Sequence, residues 1–93
     1  MPRFLIELTH DDEHAACVKE LRVVERYGAH LLTHLDWGCE DGTHCGWLIA
    51  ELGSRDEAML MVPPELRQEA RIVELSKYTK EKIAALISEL ENG

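Results

Sequence analysis

The stretch from residue 28 to 52, GAHLLTHLDWGCEDGTHCGWLIAEL, constrains the fold more than any other part of the chain. Two apolar runs, residues 29–37 and 44–52, flank a polar turn rich in Gly and Asp. This pattern predicts strand, tight turn, strand, with the turn centred near Glu40 and Asp41. The stretch also carries three of the five His, two of the three Cys and both Trp. Any site on the chain is expected on or beside this hairpin.

The flanking segments complete the pattern. Residues 2–9, PRFLIELT, read as a strand with Phe4, Ile6 and Leu8 on one face and Leu5, Glu7 and Thr9 on the other. Both faces are largely apolar, so both should be covered. Thr9, Asp11 and Asp12 suit a helix start, and Cys17, Leu21 and Val24 recur at helical spacing over roughly 11–27. Gly28 fits a left-handed C-terminal cap. After the hairpin, Ser54 and Glu57 form a capping box for a short helix that Pro63 and Pro64 stop. Residues 70–77 read as a fourth strand. Thr79 caps a last helix whose stripe is Ile83, Leu86, Ile87 and Leu90.

The order is therefore β-α-β-β-α-β plus a C-terminal helix. The expected class is α+β, a ferredoxin-like four-stranded antiparallel sheet in a single domain over residues 1–93. Two helices cover one face. In the expected register Leu5, Leu32, Leu48 and Ile72 project from the other, which a second copy of the chain can cover, giving a homodimer.

With 18 acidic against 10 basic residues the net charge is −8, and the Lys and Arg form no stripe. That argues against nucleic acid and against an anionic membrane surface as partners. No apolar run approaches a membrane span and no signal peptide is expected. Three Cys without a CxxC pair suit reduced thiols, so the expected location is the cytoplasm.

The strand order, the Asp41-Gly42 turn, the Ser54–Glu57 helix start and the Pro63-Pro64 break together resemble the dimeric α+β barrel superfamily. The tract Asp41-Gly42-Thr43-His44-Cys45 is similar to one in small ferredoxin-like nickel-binding proteins, and the pattern also resembles small bacterial families of that superfamily. The resemblance implies sheets packed face to face with a pocket beside each. It implies no single activity, because the superfamily includes cofactor-free monooxygenases, muconolactone isomerases and proteins with a His-Asp pair.

Strand parity then selects candidates. His34, Asp36, His44, Glu7 and Glu74 are expected on the face away from the helices, although a one-residue slip would reverse part of this set. An imidazole beside a carboxylate moves protons, which makes His34, Asp36 and Glu7 the catalytic candidates of a cofactor-free isomerase or monooxygenase. Two His and a carboxylate equally hold Zn, Ni or Fe. Cys39, His44 and Cys45 bracket the turn, and with His34 they form a candidate set for a transition metal, Ni or Zn. Trp37, Trp47 and Glu74 are candidate walls of a ligand pocket. The bland alternatives are solvated His, Glu paired with Arg, and Trp in the core or a dimer contact. His30 and His34 lie ~13 Å apart in a strand, too far to share an ion. His10 and His14, also four apart, could reach a common ion at the entry to the first helix, but they read more simply as an exposed helix start, and Cys17 reads as core. The leading expectation is a small-ligand or metal-binding dimer. A cofactor-free enzyme follows, then an interaction module without a pocket.

Overall fold

The computed structural model describes residues 1–92, with the backbone alone for Ala29 and Leu32, so the expected projection of Leu32 lies outside the described side chains. The fold is α+β. Strands β1 (Arg3–Thr9), β2 (Asp36–Trp37), β3 (Cys45–Glu51) and β4 (Ala70–Leu75) form one sheet in the order β2-β3-β1-β4. Every neighbouring pair is antiparallel. Helices α1 (His14–Tyr27), α2 (Ala29–His34) and α3 (Arg55–Leu60) precede β4, and α4 (Lys80–Asn92) follows it.

β1 occupies the centre because it alternates most cleanly. Phe4, Ile6 and Leu8 are buried, while Leu5 and Glu7 on the opposite face are half-buried. Around Phe4, Ile6 and Leu8 the core gathers Val24 of α1, Leu31 of α2, Leu35, Leu48, Ala58 of α3, Val62 and Leu66. Burying a side chain of this size contributes about 1.5–3 kcal/mol.

The registers correct the expected faces. Ile6 lies opposite Leu48 on one side and Ile72 on the other, so both belong to the helix-covered face. Glu74 lies opposite Phe4 and joins that face too, exposed on the edge strand β4. The open face instead presents Leu5, Glu7, Trp47, Ile49, Arg71 and Val73. The slip arises at the turn: Asp36 pairs with Trp47 and not with Gly46, so the odd-numbered residues of β3 take the open face.

The first half of the hairpin is also different. Residues 29–34 form α2, and β2 has only two residues. The adjacent Leu31 and Leu32 break a two-residue alternation. Leu31 and Leu35, four apart, both face the core, which is the spacing of a helix. Gly28 separates α1 from α2 in an extended conformation (φ 171°), so the expected left-handed cap is absent there. The left-handed residue is Gly42 (φ 84°), which closes a 3-10 turn at Cys39–Asp41.

Helix starts follow the sequence more closely. Ser54 Oγ accepts from Glu57 N–H at 3.2 Å, and Glu57 reaches back to Gly53 N–H at 2.9 Å. Thr79 Oγ1 accepts from Lys82 N–H. By contrast α1 starts without a side-chain cap, at His14. The residues expected as its caps, Thr9 and Asp11, lie before it, and this frees the segment between β1 and α1 for another purpose. All described residues of α4 are exposed, and the molecule is drawn out to 53 × 29 × 21 Å. Among the described residues, no helix is long and apolar enough to cross a membrane.

Candidate metal centre

Four side chains from four separate segments converge at one end of the sheet. His10 directly follows β1, Cys17 sits in the first half of α1, Cys39 opens the 3-10 turn, and His44 directly precedes β3. A backbone hydrogen bond from His10 N–H to His44 C=O (3.1 Å) fixes the two histidine segments side by side. His10 Nε2 lies 2.9 Å from Cys17 Sγ and 3.4 Å from Cys39 Sγ. His44 Nδ1 lies 3.1 Å from Cys17 Sγ. All four donor atoms fall within 4.8 Å of one another, so the cluster can hold a metal ion. Zinc–sulfur bonds of about 2.3 Å and zinc–nitrogen bonds of about 2.0 Å give a tetrahedron whose edges are about 3.3–3.8 Å, close to this spacing.

Behind each imidazole stands a carboxylate. His10 Nδ1 donates to Glu20 Oε2 at 2.6 Å, with both side chains almost fully buried. His44 Nε2 donates to Asp12 Oδ1 at 2.8 Å, but Asp12 is 93% exposed. In each ring the outer nitrogen is held by a carboxylate, so the inner nitrogen keeps its lone pair towards the thiols. This is how metal-ligating histidines are oriented and made more basic. The buried pair is the stronger of the two, because water screens the Asp12 contact.

Glu20 explains itself only through this site. It projects from the buried stripe of α1 between Cys17 and Val24, where an acid is costly unless paired. Burial pushes its carboxyl up, and the neighbouring Glu69 carboxyl opposes that shift. Burial, and then the neighbouring Glu20, push Glu69 up to about 8, so Glu69 keeps its proton near neutrality and can donate it to Glu20. The Cys39 thiol is pushed up to about 11, by burial first and then by Cys17. Such a thiol stays protonated until a cation displaces its proton.

The cluster lies between two concavities. One, of about 540 Å³, reaches His10, Glu20 and Glu69 from the side of Val23 and Leu66. The other, of about 420 Å³, is bounded by Cys17, Cys39 and His44 and by Val18 and Leu21 of α1.

Of the four candidate metal ligands in the sequence, Cys39 and His44 lie in this cluster. Cys45 points elsewhere: it pairs with Thr9 across the strands and its thiol lies 3.7 Å from Thr9 Oγ1. His34 is exposed on α2, stacked on His30 (ring centroids 4.3 Å apart), with Nδ1 donating to the His30 carbonyl. A strand would have kept these two rings apart, and the helix brings them together. Among the described residues His34 makes no hydrogen bond to Asp36 or Glu7, so the expected catalytic trio is not assembled. Glu7 accepts from Trp47 Nε1 at 3.2 Å on the open face, and Asp36 is exposed beside them on β2. Trp37 and Trp47, successive partners of β3 and β2, face opposite sides of the sheet and do not wall one pocket. Trp37 packs over Gly46, 6.3 Å from the His10 ring, with its Nε1 buried and unpartnered; Trp47 lies against Gly38. Glu74 touches neither.

Two members of the cluster, His10 and Cys17, were not among the sequence candidates. The usable signal was Glu20, an acid placed on the core-facing stripe three residues after a Cys. Compared with known proteins, the chain matches no family model, no curated protein and no solved structure.

Proposed function

We propose that this protein binds a transition metal, with zinc the best fit, through His10, Cys17, Cys39 and His44. The observation that carries the reading is the pair of imidazoles, each with one nitrogen taken by a carboxylate, while His10 Nε2 faces Cys17 and Cys39 and His44 Nδ1 faces Cys17. Two thiolates with two imidazoles in a tetrahedron suit zinc, and nickel is the nearest competitor. All four ligands come from the protein, which favours a site that holds the fold together over one that processes a substrate. The ion would tie together the β1–α1 connection and the β2–β3 turn, where α1 lacks a cap.

The test is metal content of untagged protein by mass spectrometry, followed by zinc and nickel titration. The expected outcome is one ion per chain and a rise in melting temperature. His10→Ala and Cys17→Ser should abolish stoichiometric binding while His34→Ala leaves it intact. Full binding in the first two variants would remove the assignment.

A second reading rests on the same His10–Glu20 pair, which borders the larger concavity beside the proton-holding Glu69. It is a cofactor-free acid–base catalyst of the isomerase or monooxygenase kind, and turnover by metal-free protein would favour it.

We also propose that the chain follows the ferredoxin-like plan and dimerises as in α+β barrels. The strand order with β1 and β3 central supports the plan, and the apolar open face supports the dimer. Three free thiols suit a reducing cytoplasm.

A further inference from the structure

We propose that Cys17 and Cys39 form a hydroperoxide-reactive pair whose oxidation to a disulfide dismantles the metal centre. The inference rests on the metal-binding reading, yet its own support is separate. The two Sγ atoms are within 4.8 Å of each other, so a bond of about 2.05 Å needs a closure of roughly 3 Å or less. Cys39 opens a three-residue turn at the surface, whereas Cys17 lies within α1. Both thiols border the cleft of about 420 Å³, so a small peroxide reaches them from solvent. Cys39 is the more exposed of the two and meets it first.

The steps balance as follows. In the loaded centre Cys39 is held as a thiolate; its sulfur attacks one oxygen of hydrogen peroxide, the O–O bond breaks, and hydroxide leaves and takes a proton to become water. Cys39 is then a sulfenic acid. Cys17 sulfur attacks the Cys39 sulfur and displaces the oxygen as a second water. The peroxide is reduced by two electrons and the thiol pair is oxidised by two. From the loaded centre both sulfurs start as thiolates, so two protons come from solvent and the ion departs as a divalent cation. His10 and His44 remain, and two imidazoles hold zinc far more weakly than the full set. Cys45 stands apart, buried against Thr9, and is spared.

The experiment treats metal-loaded protein with hydrogen peroxide, reads metal release with a chromogenic chelator, and maps disulfides by peptide mass. The expected result is loss of one ion per chain, a fall from three free thiols to one, a Cys17–Cys39 crosslink, and full reloading after a dithiol reductant and zinc. Cys17→Ser, which lacks the second sulfur and with it the stoichiometric ion, should form no crosslink and lose no thiol at the same peroxide dose. Metal bound stoichiometrically with three thiols surviving peroxide overturns the inference and leaves the centre standing. A crosslink through Cys45, or direct passage to sulfinic acid, also overturns it. A Cys17–Cys39 crosslink in a protein that never bound metal would sink the metal reading and keep the reactive pair.

Discussion

The two carboxylates behind the imidazoles differ in burial, and that difference sets what each is worth. Glu20 is 3% exposed and Asp12 is open to water, so the same hydrogen bond orients His10 firmly and His44 loosely. Glu20→Gln should weaken zinc binding about 10–100-fold, and Asp12→Asn by clearly less; competition with a chelator measures both. Glu69 gives a second expectation. Its folded value of about 8 lies above the ordinary 4.5, so the native state binds the extra proton between those limits. Stability should therefore be greatest at the acid end of that window and fall as pH rises through it to about 8. Glu69→Gln should flatten this slope in metal-free protein and be the more stable variant at pH 8, by on the order of 1 kcal/mol. Denaturant midpoints at pH 5 and pH 8 decide it. The sequence exposed Cys39 and His44 because they bracket a visible turn. It concealed His10 and Cys17, since their partnership depends on α1 folding back across the end of β1, a contact no local spacing encodes.

At the scale of elements, residues 3–9 were legible from alternation alone, as were the Ser54 and Thr79 helix starts. Residues 29–34 were not. Six residues are too few to separate a helical period from an alternating one, and the turn that follows made a hairpin the simpler interpretation. A strand there also places His34 in the catalytic and metal sets, from which the helix removes it. The short β2–β3 ribbon depends on a close approach instead of on length. A Cβ on Gly46 would meet the Trp37 ring at 2.6 Å. Gly46→Ala should accordingly cost about 1–3 kcal/mol, visible as a lower unfolding midpoint. It should also loosen zinc binding, because Trp37 packs beside His10.

At the scale of the whole molecule, one layer of helices covers one face of a sheet, and two apolar surfaces are left over. The open face carries Leu5, Trp47, Ile49 and Val73, and α4 exposes Ile83, Leu86, Ile87 and Leu90. Surfaces of this kind on a small protein mark association. Sedimentation at micromolar concentration should show a dimer, and removal of residues 79–93 should shift it towards monomer while leaving zinc binding unchanged, since no ligand lies there. A monomeric full-length chain would end the proposal.

The position of the ligands along the chain has a consequence for synthesis. All four precede residue 45, whereas β4 begins at Ala70 and Leu66 of the core comes only just before it. A nascent chain emerging from the ribosome thus holds its complete ligand set while β1 still lacks one of its two neighbours. An ion captured at that moment would clamp β1, α1 and the β2–β3 turn together before the sheet is finished, and zinc supply during translation, rather than after it, would govern the yield of folded protein.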